Sequence, residues 1–244
     1  MKGKSVKTFF DTHAHYSAYN KNQEYYLPII DYFSNDFSKE IRVLDIGCGD
    51  GSFLKGLKAA NLRGDFLGVD ISFNLLRKAK TNVSDQKGIH FVVADAFNPP
   101  FRNTEKFNLI HIDSVLHHLI DDNRKKSNRL SKDLLTILRS KLSQNGILIV
   151  EEMYYNSRIL PHLTSSIIFY SLKIINRLQL DLTFFRNDLK PGLEVNFFSE
   201  DQLVNILNEL GSVMTMQRNP SKLSKLEKVM FLRERGHITY FVKI

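Results

Sequence analysis

Three glycines at alternate positions, Gly47, Gly49 and Gly51, stand behind an apolar run that ends on a carboxylate, Ile41-Arg42-Val43-Leu44-Asp45. Glycine tolerates positive φ and carries no Cβ, so a ligand can lie almost against the backbone of such a loop. The residues that follow, Ser52-Phe53-Leu54-Lys55-Gly56-Leu57, read as the opening of a helix, whose first N–H groups lack partners within the helix. The carboxylate of Asp45 can accept hydrogen bonds from an amine or a hydroxyl. Together these groups suit a ligand that is part nucleoside and part amino acid. The dinucleotide fingerprint G-x-G-x-x-G is not met, because its third glycine position is Ser52 and the glycine falls one residue early.

Three further carboxylates, Asp70, Asp95 and Asp113, also end apolar runs. Asp70 lies about 20 residues beyond the loop, the distance at which a carboxylate meets ribose hydroxyls in βαβ nucleotide sites. His117 and His118 follow the fourth run, and an imidazole there can take a proton near neutral pH. The single cysteine, Cys48, reads as a small buried filler of the loop rather than as a nucleophile. It allows no internal disulfide, which fits a reducing, cytoplasmic setting.

These groups need a scaffold that brings strand ends together. Apolar runs at 41–45, 65–70, 89–95, 107–113 and 146–151 alternate with helical patterns, which calls for a parallel sheet covered on both faces. From Met153 to Phe198 no strand is evident, and Leu160, Leu163, Ile167, Tyr170, Ile174 and Leu178 share one helical face. Ser199-Glu200-Asp201-Gln202 spells a capping box before a helix closed by Gly211, and two strand-like runs, 212–217 and 237–244, end the chain. With 244 residues, 43% hydrophobic and 25% charged, the chain reads as one globular domain with an elaboration. No run reaches the roughly 18 apolar residues of a membrane span, and the basic start Met1 to Lys7 lacks the apolar core of a signal peptide. The net charge of +8 includes a basic group, Lys222, Lys225, Lys228, Arg233 and Arg235, interleaved with Glu227 and Glu234. That interleaving favours a solvated basic surface over a nucleic-acid footprint.

The D-x-G-x-G-x-G spacing of Asp45 to Gly51 resembles motif I of the class I S-adenosylmethionine-dependent methyltransferases. Val69-Asp70-Ile71-Ser72 and Ala94-Asp95-Ala96 match the acidic motifs of that family's second and third strands. The resemblance covers residues 41–152 by motif and 199–244 by arrangement. It implies an α/β, doubly wound, mostly parallel seven-stranded sheet of Rossmann-like type, closed by an antiparallel hairpin. The implied divisions are an N-terminal helical cap (1–40), a cofactor-binding core (41–152), a helical lid insertion (153–198) and a C-terminal helix and strand pair (199–244).

S-adenosyl-L-methionine is the cofactor this resemblance implies. Gly47, Cys48, Gly49 and Gly51 would wrap its methionine part, with Asp45 orienting the amine through the loop. Asp70 would bind the ribose, Ile71 would lie against the adenine, and Asp95 with Ala96 would meet the adenine amino group. Asp113 would stand near the methyl donor. The implied acceptor is a small apolar or amphipathic molecule facing Tyr16, Tyr19 and His117, with His117 or His118 as base and no metal. Three other readings stand beside it. Asn98-Pro99-Pro100-Phe101 spells an amine-methylating signature, though before the fourth strand rather than at its end. An RNA or protein acceptor would use the basic surface. Asp11-Thr12-His13-Ala14-His15 resembles the D-x-H-x-H start of metal-dependent amidohydrolases, with His13 and His15 as ligands. Monomer and homodimer are both open.

Overall fold

The computed structural model describes residues 8, 11, 21–34, 40–102, 104–180, 194–229 and 231–244. His13, His15, Tyr16 and Tyr19 lie outside the described residues. The chain forms two compact bodies, one of residues 10–113, 137–149 and 244, the other of 1–9, 114–136 and 150–243.

In the first body the order is α1 (Gln23–Phe33), β1 (Ile41–Ile46), α2 (Ser52–Ala59), β2 (Gly64–Asp70), α3 (Phe73–Asn82), β3 (Ile89–Val93) and β4 (Phe107–Asp113). Two elements are divided between the bodies: α4 (Arg124–Ser140) and β5 (Leu142–Ser157). The second body adds a 3₁₀ turn (Leu116–His118), α5 (Leu163–Leu178), α6 (Glu200–Asn208), β6 (Ser212–Pro220), α7 (Lys225–Val229) and β7 (Leu232–Lys243). The seven strands lie in the order β3-β2-β1-β4-β5-β7-β6, the doubly wound arrangement expected. A TIM barrel, the scaffold of the amidohydrolase reading, is therefore excluded.

Parallel pairing explains the sequence pattern in the first body. Leu44 aligns with Leu67 on one side and Ile110 on the other. A central parallel strand has no wet face, so Val43, Leu44 and Ile46 are all buried and the run reads as continuous rather than alternating. Helix α1 covers part of this body through Tyr25, Tyr26 and Ile29. Gly56 inside α2 makes room for it, because a Cβ there would come within 2.1 Å of the Tyr26 hydroxyl. A mid-helix glycine costs about 1 kcal/mol relative to alanine, which here is offset by the stacking of Tyr26 on Phe53 at 6.0 Å.

Two boundaries differ from expectation. Strand β5 does not stop near Glu151 but continues to Ser157. Its extension is paired from a distance: Tyr155 N–H donates to the Phe198 carbonyl at 2.8 Å, and Tyr154 bridges Phe198. Strand β7 begins at Leu232, before the apolar run: Gly236 pairs with Pro220 at the end of β6, and Ser221 N–H donates to the Arg235 carbonyl at 2.8 Å. The antiparallel β6–β7 hairpin is as expected. Helix α6 begins with the expected capping box of Ser199 and Gln202.

One polar pair is built into the buried sheet. Asp45 is within β1 rather than at its end, and the parallel register sets it beside His111 of β4. His111 Nδ1 lies 2.7 Å from Asp45 Oδ1, and both residues are at most 2% exposed. The ring also stacks on Phe53 with centroids 3.6 Å apart, and its Nε2 stands 3.4 Å from the Tyr25 hydroxyl. Removing one partner of such a buried pair strands the other without water. We expect Asp45→Ala to lower the free energy of unfolding by about 3–5 kcal/mol in urea titrations.

Candidate active site

The glycine loop is held in a shape that other residues would resist. Gly47, Gly49 and Gly51 have φ of 71°, 52° and 75°. Gly47 and Cys48 both donate to the Val69 carbonyl, at 2.8 and 3.1 Å, and Gly51 closes a turn onto the Cys48 carbonyl at 2.9 Å. The Asp50 carboxylate takes the Ser52 N–H at 3.1 Å and its hydroxyl at 2.6 Å, so the start of α2 is capped from within the loop.

Asp70, at the end of β2, ties the loop to the next helix. Its Oδ2 accepts the Gly49 N–H at 2.9 Å and its Oδ1 accepts the Ser72 N–H at 2.8 Å. Burial raises the pKa of this carboxyl above its ordinary value, against the lowering effect of the N–H donors from Ser72 and Gly49. Ser72 in turn caps α3 through Leu75 N–H and donates to Asp11 Oδ1 at 2.7 Å. Asp11, the first residue of the D-x-H-x-H stretch, thus serves the helix start.

The other expected loop residues are placed as follows. Cys48 is buried, and desolvation, then the nearby Asp45 and Asp70, raise its thiol pKa well above the usual value. It is an inert filler, as expected. Ile71 and Ala96 are partly buried in connections after β2 and β3. Asp95 is exposed, and its Oδ1 accepts a local bond from Phe97 N–H at 3.0 Å. Asp113 is bound by Lys21 at 2.9 Å, and the same ammonium lies 4.1 Å over the Tyr25 ring. Lys21 and Tyr25 carried no signal in the sequence pattern.

The second body holds the histidines. His117 sits in the 3₁₀ turn and is buried. Its Nδ1 is 2.5 Å from Glu152 Oε1, and its backbone N–H donates to Glu152 Oε2 at 3.2 Å. Glu152 is fully buried in β5 and also accepts the Met153 N–H at 2.7 Å. A carboxylate on Nδ1 fixes ring orientation and leaves Nε2 as the nitrogen that can exchange a proton. Around the ring stand Phe197 at 5.5 Å and His118 at 4.1 Å, and Phe197 stacks on Tyr155 at 4.3 Å. Burial and the adjacent His117 push the His118 pKa well below the usual value, so His118 stays neutral at pH 7.

Residues 194–198 are fixed onto this turn. Asn196 N–H donates to the His117 carbonyl at 2.8 Å. Arg124, buried, donates to Asn196 Oδ1 at 3.0 Å, to the Phe197 carbonyl at 2.8 Å and to Ser166 Oγ at 2.8 Å. Glu152, Arg124, Asn196 and Phe197 were not singled out in the sequence. The one available signal was a second acid, Glu152, directly behind the expected strand end at Glu151.

A family model described as a methyltransferase domain matches residues 37–211. The chain belongs to the class I methyltransferases. Among curated relatives of this methyltransferase, a tRNA (carboxymethyluridine(34)-5-O)-methyltransferase of Arabidopsis thaliana is 41% identical over 84 residues, 34% of this chain and 18% of that one. A demethylmenaquinone methyltransferase of Staphylococcus saprophyticus is 31% identical over 116 residues, 46% of this chain and 49% of that one. The chain thus spans half or less of the length of both. Magnesium protoporphyrin IX methyltransferase from Synechocystis PCC 6803, solved with bound SAH, covers 99% of this chain and 100% of its own at a TM-score of 0.59 and 14% identity, which shows the shared fold.

Two of the loop glycines separate packing from openness. A Cβ on Gly51 would come within 2.9 Å of Phe91 and 3.3 Å of Ala79, whereas one on Gly49 would meet nothing within 4 Å. Gly49→Ala should cost only the left-handed backbone penalty, about 1–2 kcal/mol. Gly51→Ala should cost about 1–3 kcal/mol more, for displacing Phe91. Urea unfolding of the two variants measures the difference.

Proposed function

We propose that this protein transfers the methyl group of S-adenosyl-L-methionine to a small, apolar or amphipathic acceptor whose reacting oxygen or carbon must first lose a proton. The observation that carries this reading is the buried His117–Glu152 pair between aromatic residues. A methyl transfer to an already nucleophilic amine has no use for such a base, and alignment suffices for it.

The loop residues fit the cofactor. The open side of Gly49 leaves backbone clear for a ligand, and the Asp70 carboxylate keeps acceptor capacity for a ribose hydroxyl beyond its backbone bonds. Asp95 Oδ2 is available beyond β3 for the adenine amino group, with Ile71 and Ala96 beside the ring. Asp45, buried against His111, would act on the amine only through the loop above it, not by direct contact. When bound, the sulfonium offers an electrophilic methyl group and leaves as a neutral thioether.

The protein's part in the reaction is positional and acid–base. His117 Nε2 takes the acceptor's proton, and the freed electron pair forms the bond to the methyl carbon. Glu152 holds the ring and stabilises the imidazolium that results, through the Nδ1 contact. Tyr155 and Phe197 wall the site with apolar surface. That excludes water and suits an acceptor with an apolar body. In this reading residues 153–198 form the acceptor side and residues 1–40 the cap, with Tyr16 and Tyr19 among the candidate acceptor contacts. No metal is required. Among the described residues no helix is long and apolar enough to cross a membrane. A cytoplasmic setting belongs to the proposal and is supported by the single buried thiol.

The test is transfer of labelled methyl from S-adenosylmethionine to a panel of phenolic and enolisable carbonyl acceptors, read in the organic extract. His117→Ala should reduce turnover by about 10²–10⁴-fold while cofactor binding is kept. Glu152→Gln, which preserves shape but not charge, should fall between that variant and the parent. Full turnover in His117→Ala, or label appearing in RNA and not in the extract, contradicts the reading.

A further inference from the structure

Helix α5 is apolar on two sides. Its inner side, Phe169, Leu172 and Ile175, is buried, and Leu172 and Ile175 pack with Val195, Ile168 and Phe197. The other side carries Ile167, Tyr170, Ile174 and Leu178, which are 36%, 49%, 57% and 60% exposed. These four share the helical face expected to fold over the acceptor, yet it is open to solvent. A single exposed leucine is ordinary, but a continuous stripe marks an interaction surface.

A second apolar cluster continues it. Ile159 and Leu160, just before α5, are 62% and 59% exposed. Arg158 N–H donates to the Phe231 carbonyl at 2.8 Å, which joins this segment to the turn between α7 and β7. Val229, the last residue of α7, is 73% exposed and Phe231 in the turn is 45% exposed. Phe231 also has φ of 60°, a conformation bulky residues rarely adopt. A strained backbone that leaves a phenylalanine ring half in water costs twice over in an isolated monomer.

The charges around these residues select a partner. Between Ser157 and Leu180 there is no aspartate or glutamate. Arg158 and Arg177 are exposed on this stretch, as are Lys228 near the end of α7 and Arg233 at the start of β7. Lys173 is turned aside, to the Asp121 carbonyl and toward Glu194, an acid that borders this face among the described residues. We propose that this face docks on an anionic lipid bilayer, with Leu160, Phe231 and the α5 stripe entering the headgroup boundary and the arginines meeting lipid phosphates. Apolar residues on one side of a helix with basic residues at its flanks are the composition of an interfacial helix. A second copy of this chain would instead set like charges against each other, and RNA offers nothing to the apolar stripe. The proposal is independent of which acceptor is methylated.

Vesicle flotation of the full chain tests it, using phosphatidylcholine vesicles and vesicles of phosphatidylcholine mixed with phosphatidylglycerol. The protein should rise with the anionic vesicles and stay down with the neutral ones, and salt should weaken the association. Arg158→Glu/Arg233→Glu should reduce the bound fraction at least about tenfold, since each basic residue near such a surface contributes about fivefold. Phe231→Gly removes the ring and relieves the left-handed strain, so its fold is not at risk, and it should also float less. Circular dichroism checks that every variant is folded. No flotation with anionic vesicles, or equal flotation of all variants, overturns the proposal. So does a concentration-dependent dimer, or an RNA complex, that Arg158→Glu/Arg233→Glu abolishes while flotation is absent.

Discussion

The bond from Gly49 N–H to the carboxylate of Asp70 is the contact on which the glycine loop depends. It joins the strained loop after β1 to the end of β2, while the other carboxylate oxygen holds Ser72 and so the start of α3. One buried side chain thereby sets the position of two helix starts and the glycine backbone. In the proposed reading the same oxygens would meet the ribose. Burial that makes the bond stiff also makes the charge costly, which is why this carboxyl titrates above its ordinary range.

In the proposed reading a second polar pair supplies the proton chemistry. His117 and Glu152 come from a 3₁₀ turn and a strand, and the pair is fixed by residues 196 and 197 through Arg124. Arg124 meets carbonyl, amide and hydroxyl oxygens rather than a carboxylate among its described bonds, and burial lowers its pKa. A buried guanidinium tolerates this because its donors are satisfied, whereas removing any of those acceptors exposes its desolvation cost. The surroundings of His117 therefore rest on a satisfied network rather than on apolar packing alone.

The fold was legible in the sequence because parallel strands, buried on both faces, announce themselves as continuous apolar runs. The cofactor loop was legible because three positive φ values in five residues demand glycine. What stayed hidden depends on register and distance. Asp45 and His111 are neighbours only because β1 and β4 align as they do, and nothing local to either residue says so. The extension of β5 to Ser157 was missed because its partner, Phe198, lies far along the chain. Glu152 was passed over for Glu151, one residue earlier, since a strand end read from hydropathy has no finer edge. Helix α5 gave the opposite lesson. Its apolar periodicity was visible, but periodicity does not say which of two apolar faces is the packed one.

Calorimetric titration with S-adenosyl-L-methionine at a series of pH values tests the central claim most directly. Ribose hydroxyls donate more strongly to Asp70 when it is ionised, so binding favours the charged carboxylate. Affinity is then full above the raised pKa of the free protein and falls as the pH drops through it, earlier than an ordinary aspartate would titrate. The account predicts saturable one-to-one binding at neutral pH, weakening on acidification in the parent and weak throughout in Asp70→Ala. Absence of heat at neutral pH, or an affinity that ignores both pH and the Asp70 substitution, would contradict it.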